Sequence, residues 1–170
     1  MGKVFINDLR RMKRCRDEIE KALQVKIDVV EDGVEIEGKD GISEYLAEKV
    51  LEAIDLGFTA HQALQLRNED FMFEKLNIKD YARASRLHTI KGRLIGKKGR
   101  AKGVMEELAD CSIAIKDYNI GIIGKTADVD SAIHAIKDLI MGLPHAKVYA
   151  FLEKSRKLRR QKLEEEESLK

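Results

Sequence analysis

The chain has 170 residues, of which 44% are hydrophobic and 36% are charged, with 32 Lys and Arg against 30 Asp and Glu. This length suits one large domain or two small ones, and the longest apolar runs are too short to span a bilayer. Two cysteines, Cys15 and Cys111, cannot form a disulfide framework or a zinc site on their own. We therefore expect a soluble cytoplasmic protein that has no membrane partner, metal or cofactor.

The first third of the chain has the pattern of a small α+β module. Apolar residues alternate in two short strands, and apolar residues three and four positions apart mark the helices. Asp32-Gly33 between the strands indicates a hairpin, although another strand order within a larger sheet also fits. In chain order we predict a first strand and first helix compressed into residues 1–9, a strand at 25–29, a strand at 34–37 and a helix at 43–56.

A connector and a second module follow. Residues 58–80 are predicted to be a mixed connector with a short helix at Thr59–Leu66. In the second module Asp128 is the predicted N-cap of a long helix. The other predicted elements are a helix carrying Val104, Met105 and Leu108, strands at 113–115 and 120–123, a helix at 129–141 and a charged helix at 153–170 whose basic half precedes the acidic run 164–167.

The two modules resemble each other along their length. Shifting the sequence by 86 residues places Ile27 on Ile113 without a gap, and after one residue is lost a shift of 85 places Gly57 on Gly142. The chain is therefore predicted to be a tandem duplication of one module. The expected domains are a first module with its connector at 1–80, a second module at 81–153 and a charged helix or tail at 154–170.

Positive charge is concentrated at the start of the second copy. Between Asp80 and Glu106 there are eight basic residues and no acidic ones. A net charge of +2 minus these eight leaves −6 for the rest of the chain. Solvated helix faces generally interleave both signs to gain i,i+4 pairs, so this acid-free run favours a polyanion partner over an ordinary helix face.

A glycine-flanked loop lies within this basic run. Gly96 and Gly99 bracket Lys97 and Lys98, and an amphipathic helix follows directly. Glycine permits a sharp turn and the close approach of another backbone. The free amides and positive dipole end of a helix favour phosphate oxygens. The two lysines can therefore neutralise phosphates without reading a base sequence.

This loop, with its neighbours, resembles the GXXG signature of the KH domain, which clamps the backbone of about four nucleotides. The resemblance implies an α+β fold of two tandem KH-like (type I) modules, each a three-stranded antiparallel sheet packed with helices in the order β-α-α-β-β-α. The RNA-binding residues that it implies are Lys91, Gly92, Arg93, Ile95, Gly96, Lys97, Lys98, Gly99, Arg100 and Lys102. It also implies a groove for bases, lined by aliphatic residues of two helices and the central strand: Ile90, Leu94, Val104, Leu108 and Ile113.

The second copy is similar, more narrowly, to the Pno/Dim pre-ribosomal-RNA-processing family. A basic residue at the position of Lys102 is typical of that family, and a further match is Gly142-x-x-His145-x-x-Val148-Tyr149. The compact length is typical of archaeal members. The resemblance implies a small-subunit biogenesis factor that binds the 3′ end region of precursor 16S rRNA as a single strand and docks the Nob-type PIN endonuclease that trims it.

The first copy lacks the loop. The shift of 86 residues places Gly96–Gly99 on Arg10–Lys13, which contains no glycine. We therefore predict a degenerate KH-like module without a nucleotide clamp. Its basic residues fit nonspecific contact with phosphates and fit equally well a structural or protein-binding role.

Catalysis has no support in the sequence. Gly124-Lys125-Thr126 resembles the end of a phosphate-binding loop, but the first glycine of that motif would fall at Asn119. The four histidines have no metal-ligand spacing. The alternative function is that of a protein–protein adaptor, which docks translation initiation factor 2 alpha or another translation or ribosome factor.

Overall fold

A computed structural model describes residues 2–170, which form two compact units, one ending at Phe73 and the other spanning Glu74–Lys170. The boundary lies earlier than the one expected after residue 80. Each unit has a three-stranded antiparallel sheet packed with helices, as predicted. Among the described residues, no helix combines the length and the hydropathy that a bilayer span requires.

The first unit contains a three-stranded sheet and three helices. Its elements are β1 (Gly2–Phe5), α1 (Leu9–Leu23), β2 (Val25–Val30), β3 (Gly33–Gly38), α2 (Gly41–Leu56) and α3 (Ala60–Leu64), followed by a 3-10 turn at Gln65–Arg67. Strand β3 lies between β1 and β2. The inward side chains of the sheet, such as Ile27 and Ile36, are fully buried. This burial supplies the hydrophobic stabilisation of the unit.

The second unit has the strand and helix order β-α-α-β-β-α of a type I KH domain, followed by one more helix. Its elements are β4 (Phe71–Asn77, which spans the boundary between the units), α4 (Leu87–Ile95), α5 (Arg100–Ala109), β5 (Ser112–Lys116), β6 (Asn119–Lys125), α6 (Thr126–Ile140) and α7 (His145–Ser168). Three 3-10 turns lie at Ile78–Asp80, Ala84–Arg86 and Lys97–Gly99. The sheet order is β4-β6-β5, so β6 is the central strand.

The predicted duplication is visible in the strand register. Ile27 pairs with Ile36 in the first unit, and Ile113 pairs with Ile122 in the second, 86 residues later in both strands. A two-residue turn joins the strands in each case, and the hairpin prediction is therefore confirmed in both copies.

Three local predictions are wrong. No separate first helix occurs within residues 2–8, because α1 begins at Leu9 with Asp8 as its N-cap. Strand β4 lies where only a connector and a short helix were predicted, since adjacent charges at Glu74 and Lys75 obscure its alternation. Asp128 lies inside the first turn of α6, whose N-cap residue is Lys125.

The charged C-terminal segment is the second half of α7. This helix runs without a break from His145, and the carboxylate of Asp128 lies 2.6 Å from Nε of Arg159. Burial raises the pKa of Asp128, although the arginine opposes this shift. Residues 161–170 are exposed throughout. Only the last part of the helix therefore extends away from the unit.

Candidate nucleic-acid interface

The segment Gly96–Gly99, here the GXXG loop, reverses the chain between α4 and α5. The φ angles of Gly96, Lys98 and Gly99 are 73°, 56° and 77°, all in the left-handed region. Glycine enters this region freely, whereas a residue with a Cβ does so at a cost of about 1 kcal/mol. The Gly96 amide donates to the Gly92 carbonyl at 2.8 Å, which ends α4. The sequence therefore sets a rigid turn with the strained Lys98 at its tip.

The three glycines around the loop have different surroundings. A Cβ on Gly96 would lie 2.6 Å from both Cβ and the amide nitrogen of Ala101, so the loop packs directly on the start of α5. At Gly92 and Gly99 no described atom beyond the chain neighbours and the local helix backbone lies within 4 Å of such a Cβ. Gly96 is therefore required for packing within the chain, and the other two leave bare backbone on the surface.

The start of α5 combines a helix N-terminus with the exposed side chains of two lysines. Its N-cap residue is Gly99, and no side chain in the described chain caps its first amides. The side chains of Lys97 and Lys98 are exposed and make no hydrogen bond or ion pair within residues 2–170. A helix N-terminus with two free ammonium groups is suited to bind phosphate oxygens.

Arg100 is exposed beside Tyr149 of α7. Partial burial raises the pKa of the Tyr149 hydroxyl, and the positive charge of Arg100 opposes the shift. The first turns of α7 therefore lie close to the GXXG loop. His145 reinforces this placement, since its ring Nε2 donates to the Arg93 carbonyl at 2.9 Å, near the end of α4.

Arg93 is placed away from the loop tip. Its guanidinium donates to the carbonyls of Leu139 and Leu143, both at 2.8 Å. These bonds join α4 to the last turn of α6 and to the turn that follows it, so Arg93 positions the helix that carries the loop. Its side chain is not free to bind a phosphate in this conformation.

Lys102 is also engaged within the unit. Its Nζ lies 3.0 Å from Oε1 of Glu106 and 2.9 Å from the carbonyl of Ile113. These contacts join α5 to the edge strand β5. Of the six predicted phosphate-binding cations, the structure brings Lys97, Lys98 and Arg100 together at the loop.

The predicted base groove is only partly open. Ile90, Leu94 and Ile113 are 1%, 1% and 3% exposed, so they belong to the core beneath the surface. Ile113 also lies on the edge strand β5 and not on a central strand. The aliphatic side chains that a base can touch directly are the half-exposed Ile95, Val104 and Leu108.

Lys91 lies on the same side of α4 as Ile95, since residues four positions apart share a helix face. Its ammonium is 5.8 Å from the centre of the Tyr118 ring, and that of Lys79 is 5.6 Å away. Tyr118 occupies the turn between β5 and β6. Sequence reasoning missed it, although it is the aromatic residue of a turn beside the basic run.

The basic segment of the first unit has a different structure. Arg10–Lys13 form the first turns of α1, and Met12 among them is buried. Arg11 donates to the carbonyls of Gly57 at 2.7 Å and Phe58 at 3.0 Å. The residues that the shift of 86 places on the GXXG loop are therefore helical in the first unit.

The residues that resembled catalytic motifs have packing roles. A Cβ on Gly124 would lie 2.8 Å from Sγ of Cys111, so glycine is required there by close contact. Burial raises the pKa of the Cys111 thiol to about 12, which leaves it protonated and unreactive. Within residues 2–170, no three His, Cys, Asp or Glu side chains are grouped to hold a metal ion.

Comparison with known proteins agrees with this geometry. The profile of the second KH domain of PNO1, described as a eukaryotic-type KH domain (type I), matches residues 72–157, from β4 into α7. A KH domain-containing protein of Methanocaldococcus jannaschii is 35% identical over 153 residues, which cover 86% of this chain and 67% of that protein.

Two further relatives carry more specific names. The pre-rRNA-processing protein pno1 of Emericella nidulans is 30% identical over 140 residues, covering 78% of this chain and 54% of that protein. This chain thus spans about half the length of that relative. A chain of the a/eIF2alpha-aDim2p-rRNA complex from Pyrococcus horikoshii OT3 superposes with a TM-score of 0.84 at 30% identity, covering 92% of this chain and 93% of that chain. The chain belongs to the Pno1/Dim2 family of KH-domain proteins.

Proposed function

We propose that this protein binds single-stranded RNA in small ribosomal subunit biogenesis, with the GXXG loop of the second unit as its phosphate-binding site. The observation that carries the proposal is the pair Lys97 and Lys98, which make no hydrogen bond or ion pair within residues 2–170 and lie at the start of α5, where no described side chain caps the helix. The names of the relatives, which include a pre-rRNA-processing protein and a complex with rRNA, support the choice of RNA. The RNA is the 3′ end region of precursor 16S rRNA.

Different residues of the second unit have different roles in RNA binding. The α5 amides and the side chains of Lys97, Lys98 and Arg100 hold phosphates, and the bare backbone at Gly92 and Gly99 lets the strand approach closely. The half-exposed Ile95, Val104 and Leu108 contact bases. Lys91, beside Tyr118, continues the positive track along α4. Arg93 and Lys102 position these elements. The protein holds and presents the RNA in the cytoplasm and does not cleave it.

Protein partners are the second part of the proposal. The chain docks the Nob-type PIN endonuclease that trims the bound 3′ end, and the protein therefore presents a substrate to an enzyme. A second candidate function, the adaptor for translation initiation factor 2 alpha, is supported by the Pyrococcus horikoshii relative, which was solved together with a/eIF2alpha and rRNA. Both partners fit a protein that holds RNA with one surface and protein with another.

Fluorescence anisotropy with a labelled single-stranded 3′-end fragment of 16S-type rRNA tests the proposal. If three or four phosphates are neutralised, the logarithm of the association constant falls with the logarithm of salt at a slope of about −2 to −3. The same sequence annealed in a duplex serves as the control and is expected to bind more weakly. A flat salt response, together with a stable complex with the initiation factor, would favour the adaptor alone.

A further inference from the structure

A cleft of about 280 Å³ opens on the second unit, between the segment before α4 and the end of α6. Its floor contains the buried side chains of Ile90 and Ile140. Its rim carries Arg83 and Arg86, and no acidic side chain of residues 2–170 lines it. The remaining lining residues are Tyr81, Ala82 and Met141.

The cleft lies on the opposite flank of α4 from the proposed RNA track. Lys91 on one flank faces Tyr118. On the other flank Ile90 lines the cleft, and Arg93 reaches the carbonyls at the end of α6. An occupant of the cleft therefore need not compete with RNA on the GXXG loop.

Large apolar side chains cluster at the rim of this cleft. Met141 is 70% exposed and Tyr81 is 39% exposed, and Leu143 just beyond Met141 is 37% exposed. Lys137 adds a further positive charge, with Nζ 5.5 Å from the centre of the Tyr81 ring. An exposed apolar cluster with a positive rim fits a partner segment that combines an apolar anchor with acidic side chains.

The end of α7 has this chemistry. Leu163 is 56% exposed, and Glu166 and Glu167, three and four residues later, share its face of the helix. One leucine with two carboxylates complements one apolar cleft with two guanidinium groups. Residues 161–170 of this helix are exposed, and an exposed helix end is only marginally stable in water, so docking would also stabilise it.

The cleft of the same molecule is out of reach of this segment. Met141 lies next to the start of α7, and at 1.5 Å per residue Glu164 lies about 28 Å farther along the straight helix. In an antiparallel pair of α7 helices, however, the end of each helix lies beside the start of the other.

We propose that two copies of this chain associate about a twofold axis, each inserting Leu163 of α7 into the cleft of the other and placing Glu166 and Glu167 against Arg83 and Arg86 on its rim. The contact is isologous, so two identical charge-complementary insertions close the dimer without leaving a free site. The contact involves one short segment and one small cleft in each copy, so the interface is small and the association is expected to be weak.

Sedimentation equilibrium over a range of concentrations tests this proposal. The weight-average mass is expected to rise from that of one chain, 19.3 kDa, towards twice that value. The double variant Arg83→Glu, Arg86→Glu and the double variant Glu166→Lys, Glu167→Lys are each expected to weaken association by at least about tenfold. An equimolar mixture of the two variants, or their combination in one chain, is expected to restore it, because the charges are then exchanged.

Two further variants make the test decisive. Arg10→Glu with Lys13→Glu changes the net charge by the same amount at exposed positions outside the cleft, and is expected to leave association unchanged. Leu163→Asp changes an exposed tail residue that cannot affect the core, and is expected to weaken association. A monomer at all concentrations, or charge reversals that do not rescue each other, would overturn the proposal. A cleft variant that binds single-stranded RNA more weakly but shows an unchanged weight-average mass would also overturn it.

Discussion

The carboxylate of Glu106 accepts a hydrogen bond from the backbone amide of Ile113 at 2.9 Å and thereby covers the edge of the sheet in the second unit. In the first unit Glu20 accepts from Ile27 at 2.8 Å, 86 residues earlier. An edge strand exposes unpaired amides that can recruit another chain. The duplication has therefore kept a clamp between a helix and an edge strand, independently of the loop that was lost.

The carboxylate of this contact also has a positively charged partner in each unit. Lys102 pairs with Glu106, and Arg16, at the equivalent position, lies 3.1 Å from Glu20. A positive charge at this position is present in both copies, although only the second has the GXXG loop. Its role is therefore structural in both units.

Replacing Glu106 by alanine is expected to destabilise the second unit. The change leaves the Ile113 amide and the Lys102 ammonium without their shared acceptor, which costs about 1–3 kcal/mol. Urea unfolding followed by circular dichroism measures the loss. The neighbouring Glu107→Ala is the matched control, because Glu107 is exposed, and it is expected to change the stability by less than about 0.5 kcal/mol. Equal effects would contradict the clamp.

Arg93→Met is expected to lower stability by about 2 kcal/mol, since two hydrogen bonds from a charged group to carbonyls are lost. Because Arg93 contacts no phosphate in this account, the salt slope of RNA binding is expected to stay the same in the folded variant. Lys97→Met, by contrast, lowers the magnitude of that slope by about one. A reduced slope in Arg93→Met would return Arg93 to the phosphate-binding residues.

The glycines of the loop region are expected to respond differently to alanine. Gly96→Ala is the most damaging to the fold, because its φ is positive and the new methyl group meets Ala101. Gly99→Ala costs about 1 kcal/mol from its positive φ alone. Gly92→Ala is expected to stabilise the exposed helix by about 0.5–1 kcal/mol while weakening RNA binding, since it covers bare backbone. Thermal unfolding and anisotropy on the same three variants check this order. A Gly92→Ala variant that binds RNA normally would exclude close approach there.

Cys111 is expected to resist thiol reagents until the second unit unfolds. With a pKa of about 12, about one thiol in ten thousand is ionised at pH 8, and burial also blocks access. The half-exposed Cys15 is expected to react first. Mass spectrometry after timed alkylation, with Cys15→Ser as the control that leaves a single site, measures both rates. Rapid labelling of folded Cys111 would show that the α5–β5 corner opens readily.

Sequence reasoning found the features that repeat or that carry a local pattern. The shift of 86 residues, which places Ile27 on Ile113, correctly predicted two modules with the same hairpin register. The glycines at 96 and 99 predicted the turn, because positive φ is a local requirement that glycine meets. These features depend on neighbouring residues, and a pattern in the chain can therefore reveal them.

The hydrogen-bond partners of individual basic side chains could not be predicted from the sequence in the same way. Arg93 lies within an acid-free basic run, yet its guanidinium is fixed by carbonyls about fifty residues away. The described residues of the first unit include no equivalent of α4, and there Arg11 of α1 donates a hydrogen bond to the carbonyl of Phe58, the counterpart of Leu143. The same carbonyl is thus satisfied from two different helix positions. Because Arg93 and Arg11 are not aligned by the sequence shift, comparing the two copies does not reveal that they have the same role.

The burial of two residues predicted for the base groove was not foreseen for a related reason. Ile90 and Leu94 have the same residue type and spacing as groove residues, but their faces of α4 point into the core. Helical spacing tells which residues share a face and does not tell which face meets solvent.

The central claim, that RNA binds the GXXG loop of the second unit, is tested most directly by two matched charge reversals. Lys97→Asp with Lys98→Asp changes the loop, and Arg10→Asp with Lys13→Asp makes the same charge change at exposed positions of the equivalent segment in the first unit. Anisotropy with the single-stranded 3′ fragment at fixed salt is expected to give a loss of about 100-fold or more for the loop variant and less than about threefold for the other. An equal loss in both variants, or a larger loss in the first unit, would contradict the account.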